Sequence, residues 1–115
     1  MSSRQLYLRF LHLLHALEGH ASEQALDLDA KKLLEIIAVR HEQKCPLTVT
    51  EAMGLAQIAS PATIHRKLDQ LREAGLVEAR FEDNNRRTKF LVPTQAALDR
   101  FEALGKALVS AVKPV

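Results

Sequence analysis

The sequence predicts a mainly α-helical domain with one small β-hairpin (α+β), and three observations carry the prediction. Four helical patterns occupy the first two thirds of the chain, and two of their start signals stand only about twelve residues apart. After Gly75 the apolar period changes to two, and after Pro93 a last helical pattern begins. The chain has 115 residues, 47% hydrophobic and 26% charged, which suits one soluble folded domain over residues 1–115. Within it the pattern separates an N-terminal helix over 1–20, a core over 21–93 and a C-terminal helix over 94–115.

The first helix is expected at about Gln5–Leu17, with Gly19 as its stop. At ~100° per residue, Leu6, Tyr7, Phe10, Leu11, Leu13, Leu14 and Leu17 fill an arc of roughly 160°, wider than the ~100° stripe one core requires. The surplus points to a second chain packed on this helix. A targeting peptide is the alternative, since Met1–Leu17 holds Arg4 and Arg9 and no acid. However, the apolar residues are spread helically and no small-residue cleavage site follows. No apolar run is long enough to span a bilayer, so no membrane partner is expected.

The second helix is expected from Asp29 as N-cap to about Lys44, with Leu33, Ile36 and Ile37 inward and Pro46 as terminator. Thr48 and Glu51, three residues apart, form a capping box that opens a short third helix. Ser60-Pro61 then supplies a serine N-cap and a proline at the first helical position, where a missing N–H is harmless. The fourth helix carries Ile64, Leu68 and Leu71 on one face and is stopped by Gly75, a recognition-helix candidate over 60–74. Val77, Ala79 and Phe81 alternate with Glu78, Arg80 and Glu82. Asp83-Asn84-Asn85 is a turn by composition, and Thr88–Val92 returns to Pro93. Two capped helices in quick succession followed by a hairpin define a winged helix-turn-helix. Thr94 caps the last helix, whose Leu98, Phe101, Leu104, Leu108 and Val112 lie beside small Ala97, Gly105 and Ala111, ending before Pro114. The two terminal helices are the candidate dimerisation elements, through Tyr7, Leu11, Phe101, Leu104 and Leu108.

An α-helix fits the major groove of B-DNA and presents its first turns to base edges. With Ile64, Leu68 and Leu71 inward, Ala62, Thr63, His65, Arg66, Asp69 and Gln70 point outward. Arg66 suits guanine, Gln70 suits adenine, and Ser60 with the first-turn N–H groups suits a phosphate. Asn85, Arg86, Arg87 and Lys89 place cations at the hairpin tip, where they match the narrow minor groove around a wing over 82–89. Lys67, Arg72 and Arg80 extend the basic surface. The balance is modest, seven cations against five anions over residues 60–90, within a net charge of +2 for the whole chain. An ion pair of Glu82 or Asp83 with Arg86 or Arg87 is the competing use of one arginine. The other reading of the whole module is a winged helix that binds protein rather than DNA. The polar and basic reading edge favours double-stranded DNA.

The stretches Leu47-Thr48-Val49-Thr50-Glu51, Ser60-Pro61-Ala62-Thr63-Ile64-His65-Arg66, Leu71-Arg72-Glu73-Ala74-Gly75-Leu76-Val77 and Asp83…Arg86-Arg87…Thr94 resemble the MarR family of bacterial transcription regulators. The resemblance covers a little under half of the chain. It implies a cytoplasmic homodimer built from terminal helices, bound to pseudo-palindromic DNA. Ala62, Thr63, His65 and Arg66 then match base-contacting positions, and Arg87 matches the wing arginine. Against the family pattern, the segment between Glu51 and Pro61 is about one residue longer and the wing about one shorter, and Ala97 stands where glycine is common. One helix follows the wing where family members commonly carry a further one, so the family's dimer geometry and effector pocket do not transfer directly. Any small-molecule effector is unknown.

No catalytic motif is present, so no enzyme, cofactor or metal is expected. His12 and His15, three apart with His20 nearby, lack a carboxylate or cysteine to complete a metal site and read as a polar edge. Cys45, the single cysteine, excludes an internal disulfide and suits a reducing cytoplasm. At a helix C-terminus its thiolate is disfavoured, which argues for a structural role over a redox one.

Overall fold

The computed structural model describes residues 1–20, 26–82 and 84–113; the side chains of Gly19 and His20, the expected turn residue Asp83 and the terminal Pro114 lie outside the described set. The elements in chain order are α1 (Ser3–His20), α2 (Leu28–Glu42), α3 (Val49–Met53), α4 (Pro61–Glu73), β1 (Val77–Glu82), β2 (Asn85–Pro93) and α5 (Gln95–Val112). They form two compact units. One comprises residues 1–25 with 98–115, and the other residues 26–97.

In the second unit, α2 packs on α4 through Ala30, Leu33, Leu34 and Ile37 on one side and Ile64, Leu68 and Leu71 on the other, all buried. Leu47, Ala52, Leu76, Val77, Leu91 and Ala97 complete the core. The capping box of α3 forms as the spacing predicts. The Thr48 Oγ1 accepts from the Glu51 N–H and the Glu51 carboxylate accepts from the Thr48 N–H, each at 3.0 Å. Ser60 caps α4 and Pro61 occupies its first position.

Two helices end in the same device. After α4, Gly75 has φ +74°, the Leu76 N–H donates to the Leu71 carbonyl and the Gly75 N–H to the Arg72 carbonyl, each at 3.0 Å. After α2, Lys44 has φ +62°, the Cys45 N–H donates to the Arg40 carbonyl at 3.1 Å and the Lys44 N–H to the His41 carbonyl at 3.0 Å. Both are Schellman motifs, one with the glycine that the left-handed conformation favours and one without it. The second helix therefore stops earlier than Pro46 alone suggests. Its start also differs from the sequence expectation: Asp27, not Asp29, is the N-cap, accepting from the Ala30 N–H at 2.9 Å, and Asp29 falls in the first turn. α1 runs through the expected stop at Gly19 to His20.

The hairpin is antiparallel, with pairs from Val77↔Pro93 to Phe81↔Lys89. A third segment joins it. The Leu91 N–H donates to the Leu47 carbonyl at 2.8 Å, and Thr48 bridges Phe90. The start of α3 is thereby tied to the second strand of the hairpin. Thr94 closes this unit, donating its hydroxyl to the Gly75 carbonyl at 2.6 Å and accepting from the Ala97 N–H at 3.3 Å.

In the first unit, Arg9 donates to the Ser110 carbonyl at 3.4 Å, which joins α1 to α5. Among its described residues only Ala107 and Ala111 are buried. Tyr7, Leu8, Leu108, Val109 and Val112 are exposed, and Leu11, Phe101 and Leu104 half-buried. The fully buried described residues of this unit are thus small, and its large apolar side chains are half-buried or exposed. No described helix is long and apolar enough to cross a membrane.

Candidate nucleic-acid interface

On α4 the buried edge of Ile64, Leu68 and Leu71 leaves Ala62, His65, Arg66 and Gln70 exposed and Thr63 and Asp69 half-buried. The first turn is engaged internally. The Ser60 Oγ accepts from the Thr63 N–H at 3.4 Å and donates to the Thr63 Oγ1 at 3.2 Å, so each hydroxyl holds the other. His65 stands one turn before Asp69, with Nδ1 3.4 Å from a carboxylate oxygen. Arg66, at the centre of the open edge, has no ion-pair partner among the described residues.

Lys67 stands apart from this face. Its side chain is only 15% exposed and its Nζ lies 2.5 Å from the Asp27 Oδ2, at the start of α2. The helical period contains the signal for this placement. At ~100° per residue Lys67 is only roughly 60° from Ile64, on the border of the buried edge, whereas Arg66 is roughly 160° from it.

At the wing the ladder pairs Phe81 with Lys89 and then Glu82 with Asn85, so among the described residues Arg86, Arg87 and Thr88 have no partner opposite them. This bulge is held by Asn85, whose Oδ1 accepts from the Arg87 N–H at 2.9 Å and the Thr88 N–H at 3.3 Å. Asn85 therefore opens the second strand and shapes the tip, whereas composition alone has it closing a turn and offering its side chain outward. Arg86 and Arg87 are exposed. Glu82 makes no ion pair with either arginine, and the Asp83 half of that alternative lies outside the described residues. Lys89 folds over the Phe81 ring, its Nζ 5.5 Å from the centroid. Arg80 is paired with Glu78 at 2.5 Å and does not extend the basic surface as a free charge.

Asp27 and Glu51 hold their carboxyls below the ordinary carboxylate range. For Asp27 the hydrogen bond from Lys67 is the main cause, followed by the Ala30 N–H. For Glu51 it is the Thr48 N–H, then the Thr48 hydroxyl, with the Arg40 charge a smaller contribution. Cys45 is exposed rather than packed, with its Sγ 3.9 Å from the Gln43 side-chain oxygen. No group of three His, Cys, Asp or Glu side chains among the described residues is placed to hold a metal ion.

Helix-turn-helix, hairpin and the strand segment at Leu47-Thr48 define the class: a winged helix-turn-helix protein, α+β, with long helices before and after the winged core. No protein-family model and no curated protein matches the chain. Solved structures do match it over nearly its whole length. RV1404 from Mycobacterium tuberculosis superposes with a TM-score of 0.64 at 16% identity, covering 96% of this chain and 68% of that one. A MarR-like transcriptional regulator from Thermotoga maritima gives 0.62 at 15%, covering 97% and 81%. The MarR protein from Peptoclostridium difficile gives 0.53 at 16%, covering 97% and 72%. The chain has the MarR-like fold.

Proposed function

We propose that this chain is a DNA-binding transcriptional regulator that acts as a homodimer, with α4 in the major groove and the 82–89 wing in the minor groove. The observation that carries the reading is the pairing of an open Arg66, at the centre of the exposed edge of α4, with Arg86 and Arg87 lifted out of the ladder by the bulge. On this reading Ala62, Thr63, His65, Arg66 and Gln70 face base edges, and Ser60 seats the first turn at a phosphate. Arg86, Arg87 and Lys89 meet the backbone and minor groove, and Asn85 shapes the tip. The dimer follows from the first unit. Tyr7, Leu11, Phe101, Leu104 and Leu108, with the exposed Leu8, Val109 and Val112, offer apolar surface that a second copy would cover. Each such side chain contributes about 1.5–3 kcal/mol when fully buried.

A salt series on duplex DNA tests the reading. Affinity should fall steeply as salt rises, because each neutralised phosphate releases condensed counterions. Arg66→Ala should lose about 1–3 kcal/mol and relax preference at one base position, whereas Arg87→Ala should weaken all duplexes alike and make the salt slope shallower. Absence of binding at low salt to any duplex would overturn the DNA assignment. A monomer in sedimentation at micromolar concentration would overturn the dimer.

A further inference from the structure

We propose that Lys67 is a positioning residue: it contacts no phosphate, and through Asp27 it fixes where α4 sits along α2. The proposal rests on the DNA-binding reading of α4. A single carboxylate serves both elements. The Asp27 Oδ1 accepts from the Ala30 N–H at 2.9 Å and so starts α2, while its Oδ2 receives the Lys67 Nζ at 2.5 Å. The two residues are 40 positions apart in sequence. The apolar contact between α2 and α4 decides which edge of α4 faces the core and resists a large slide, but the hydrocarbon of Leu33, Leu34, Ile37, Ile64, Leu68 and Leu71 can repack around a small one. A charged group with one partner is not interchangeable, so the ion pair defines an axial position. Base reading needs that definition, because a recognition side chain has to be held to within about 0.5 Å of its productive place.

The geometry also separates Lys67 from its neighbour. Adjacent helical residues point about 100° apart. Arg66 is exposed, and the Lys67 stem lies along the flank of the buried edge with its ammonium directed at α2. Without Asp27, that ammonium would stand beside the positive end of the α2 dipole with nothing to neutralise it.

Two substitutions isolate the effect. Asp27→Asn removes the charge and keeps a good N-cap, and Lys67→Met removes the ammonium and keeps the stem. Affinities are measured across salt for a duplex selected by the unmodified chain from a random pool and for an unrelated duplex of equal length. Each variant should bind the selected duplex about tenfold more weakly, the scale of coupling between contacting residues. Affinity for the unrelated duplex and the salt slope should stay as in the parent. The double variant should be no weaker than either single one, and Lys67→Arg should retain most of the selected-site affinity.

A salt slope shallower by about 0.9 in Lys67→Met, with both duplexes weakened alike, would make Lys67 a phosphate contact and overturn the proposal. So would variants that unfold at lower urea yet keep the parent's ratio of selected to unrelated binding, since the pair would then be a stability clip alone. Asp27→Asn preserves size and cap and carries the test by itself if Lys67→Met does not fold. A parent that binds no duplex removes the DNA reading and this proposal together, whereas failure of the variants alone leaves that reading standing.

Discussion

The paired Schellman motifs allow the helix stops to be tested in opposite directions. At Gly75 an added methyl group would meet no atom within 4 Å, so Gly75→Ala introduces no clash and its effect comes from the φ of +74° alone. An L-residue in that conformation costs about 1–2 kcal/mol, against which alanine recovers about 0.4–1 kcal/mol by restricting the unfolded chain. The net expectation is a loss of about 0.5–1 kcal/mol. Lys44→Gly, at φ +62°, reverses both contributions and should gain a similar amount. Urea unfolding with an unchanged m-value measures the first as a lower midpoint and the second as a higher one. Amide exchange adds a local readout. The Leu76 N–H, bonded to the Leu71 carbonyl, should lose protection in Gly75→Ala, and the Cys45 N–H, bonded to the Arg40 carbonyl, should gain it in Lys44→Gly. The result that refutes the reasoning is Gly75→Ala at or above the parent's stability, or Lys44→Gly below it.

Further outcomes follow from the hydrogen bonds of the winged unit. Thr94→Val keeps the shape of the side chain but removes the hydroxyl that donates to the Gly75 carbonyl and accepts from the Ala97 N–H, so it should cost about 1–2 kcal/mol in urea while Thr94→Ser stays near the parent. Asn85→Ala should speed amide exchange at Arg87 and Thr88, the two N–H groups its side chain accepts from, with little change in global stability because the tip is exposed. Acid should destabilise the fold. Asp27 and Glu51 have lower pKa values folded than unfolded, so their contribution is complete above the unfolded carboxylate range and is lost as pH falls through their folded values. The urea midpoint should therefore drop as pH falls below the ordinary carboxylate range, and the drop should be smaller in the Asp27→Asn, Glu51→Gln double variant.

The parts of this fold that are legible in the sequence are those set by a few adjacent residues. Thr48 with Glu51, Ser60 with Pro61, and Gly75 each carry their own stop or start, and the structure uses all of them. The start of α2 is different, because Asp27 and Asp29 satisfy the same local rule on either side of Leu28. The structure places the cap at Asp27, the aspartate that also receives Lys67 from forty residues away. The bridge from Leu47-Thr48 to Phe90-Leu91 has no period at all, being two residues long, and only the closed fold reveals it. The same limit applies to charge. Counting cations along the chain includes Lys67 and Arg80, and only the partners Asp27 and Glu78 take them out of the open set. What the period does contain, and a simple inward–outward division misses, is that Lys67 lies on the border of the buried edge.

On the proposed DNA-binding reading, the loss of those two cations from the open set changes how the molecule would hold a duplex. Arg66, Arg72, Arg86, Arg87 and Lys89 remain as the outward cations of the reading helix and wing, with Arg72 in the last turn of α4 and Lys89 partly occupied with the Phe81 ring. With Arg66 assigned to a base edge, the other four as phosphate contacts give a salt slope of about −3.6, at which one chain would bind weakly in ordinary salt. Two copies would double the slope to about −7, within the range of site-specific regulators. The first unit supplies the independent reason to expect two copies. Ala107 and Ala111 are its buried described residues, Phe10, Leu11, Phe101 and Leu104 are half-buried, and Tyr7, Leu8, Leu108, Val109 and Val112 stay exposed, an apolar surface of the kind that a partner covers. Sparse open charge on the winged unit and uncovered apolar surface on the helical unit are thus two requirements with one solution. The salt slope reports whether the chain adopts it, because four phosphate contacts from the reading helix and wing of each copy reach about −7 only when two copies bind.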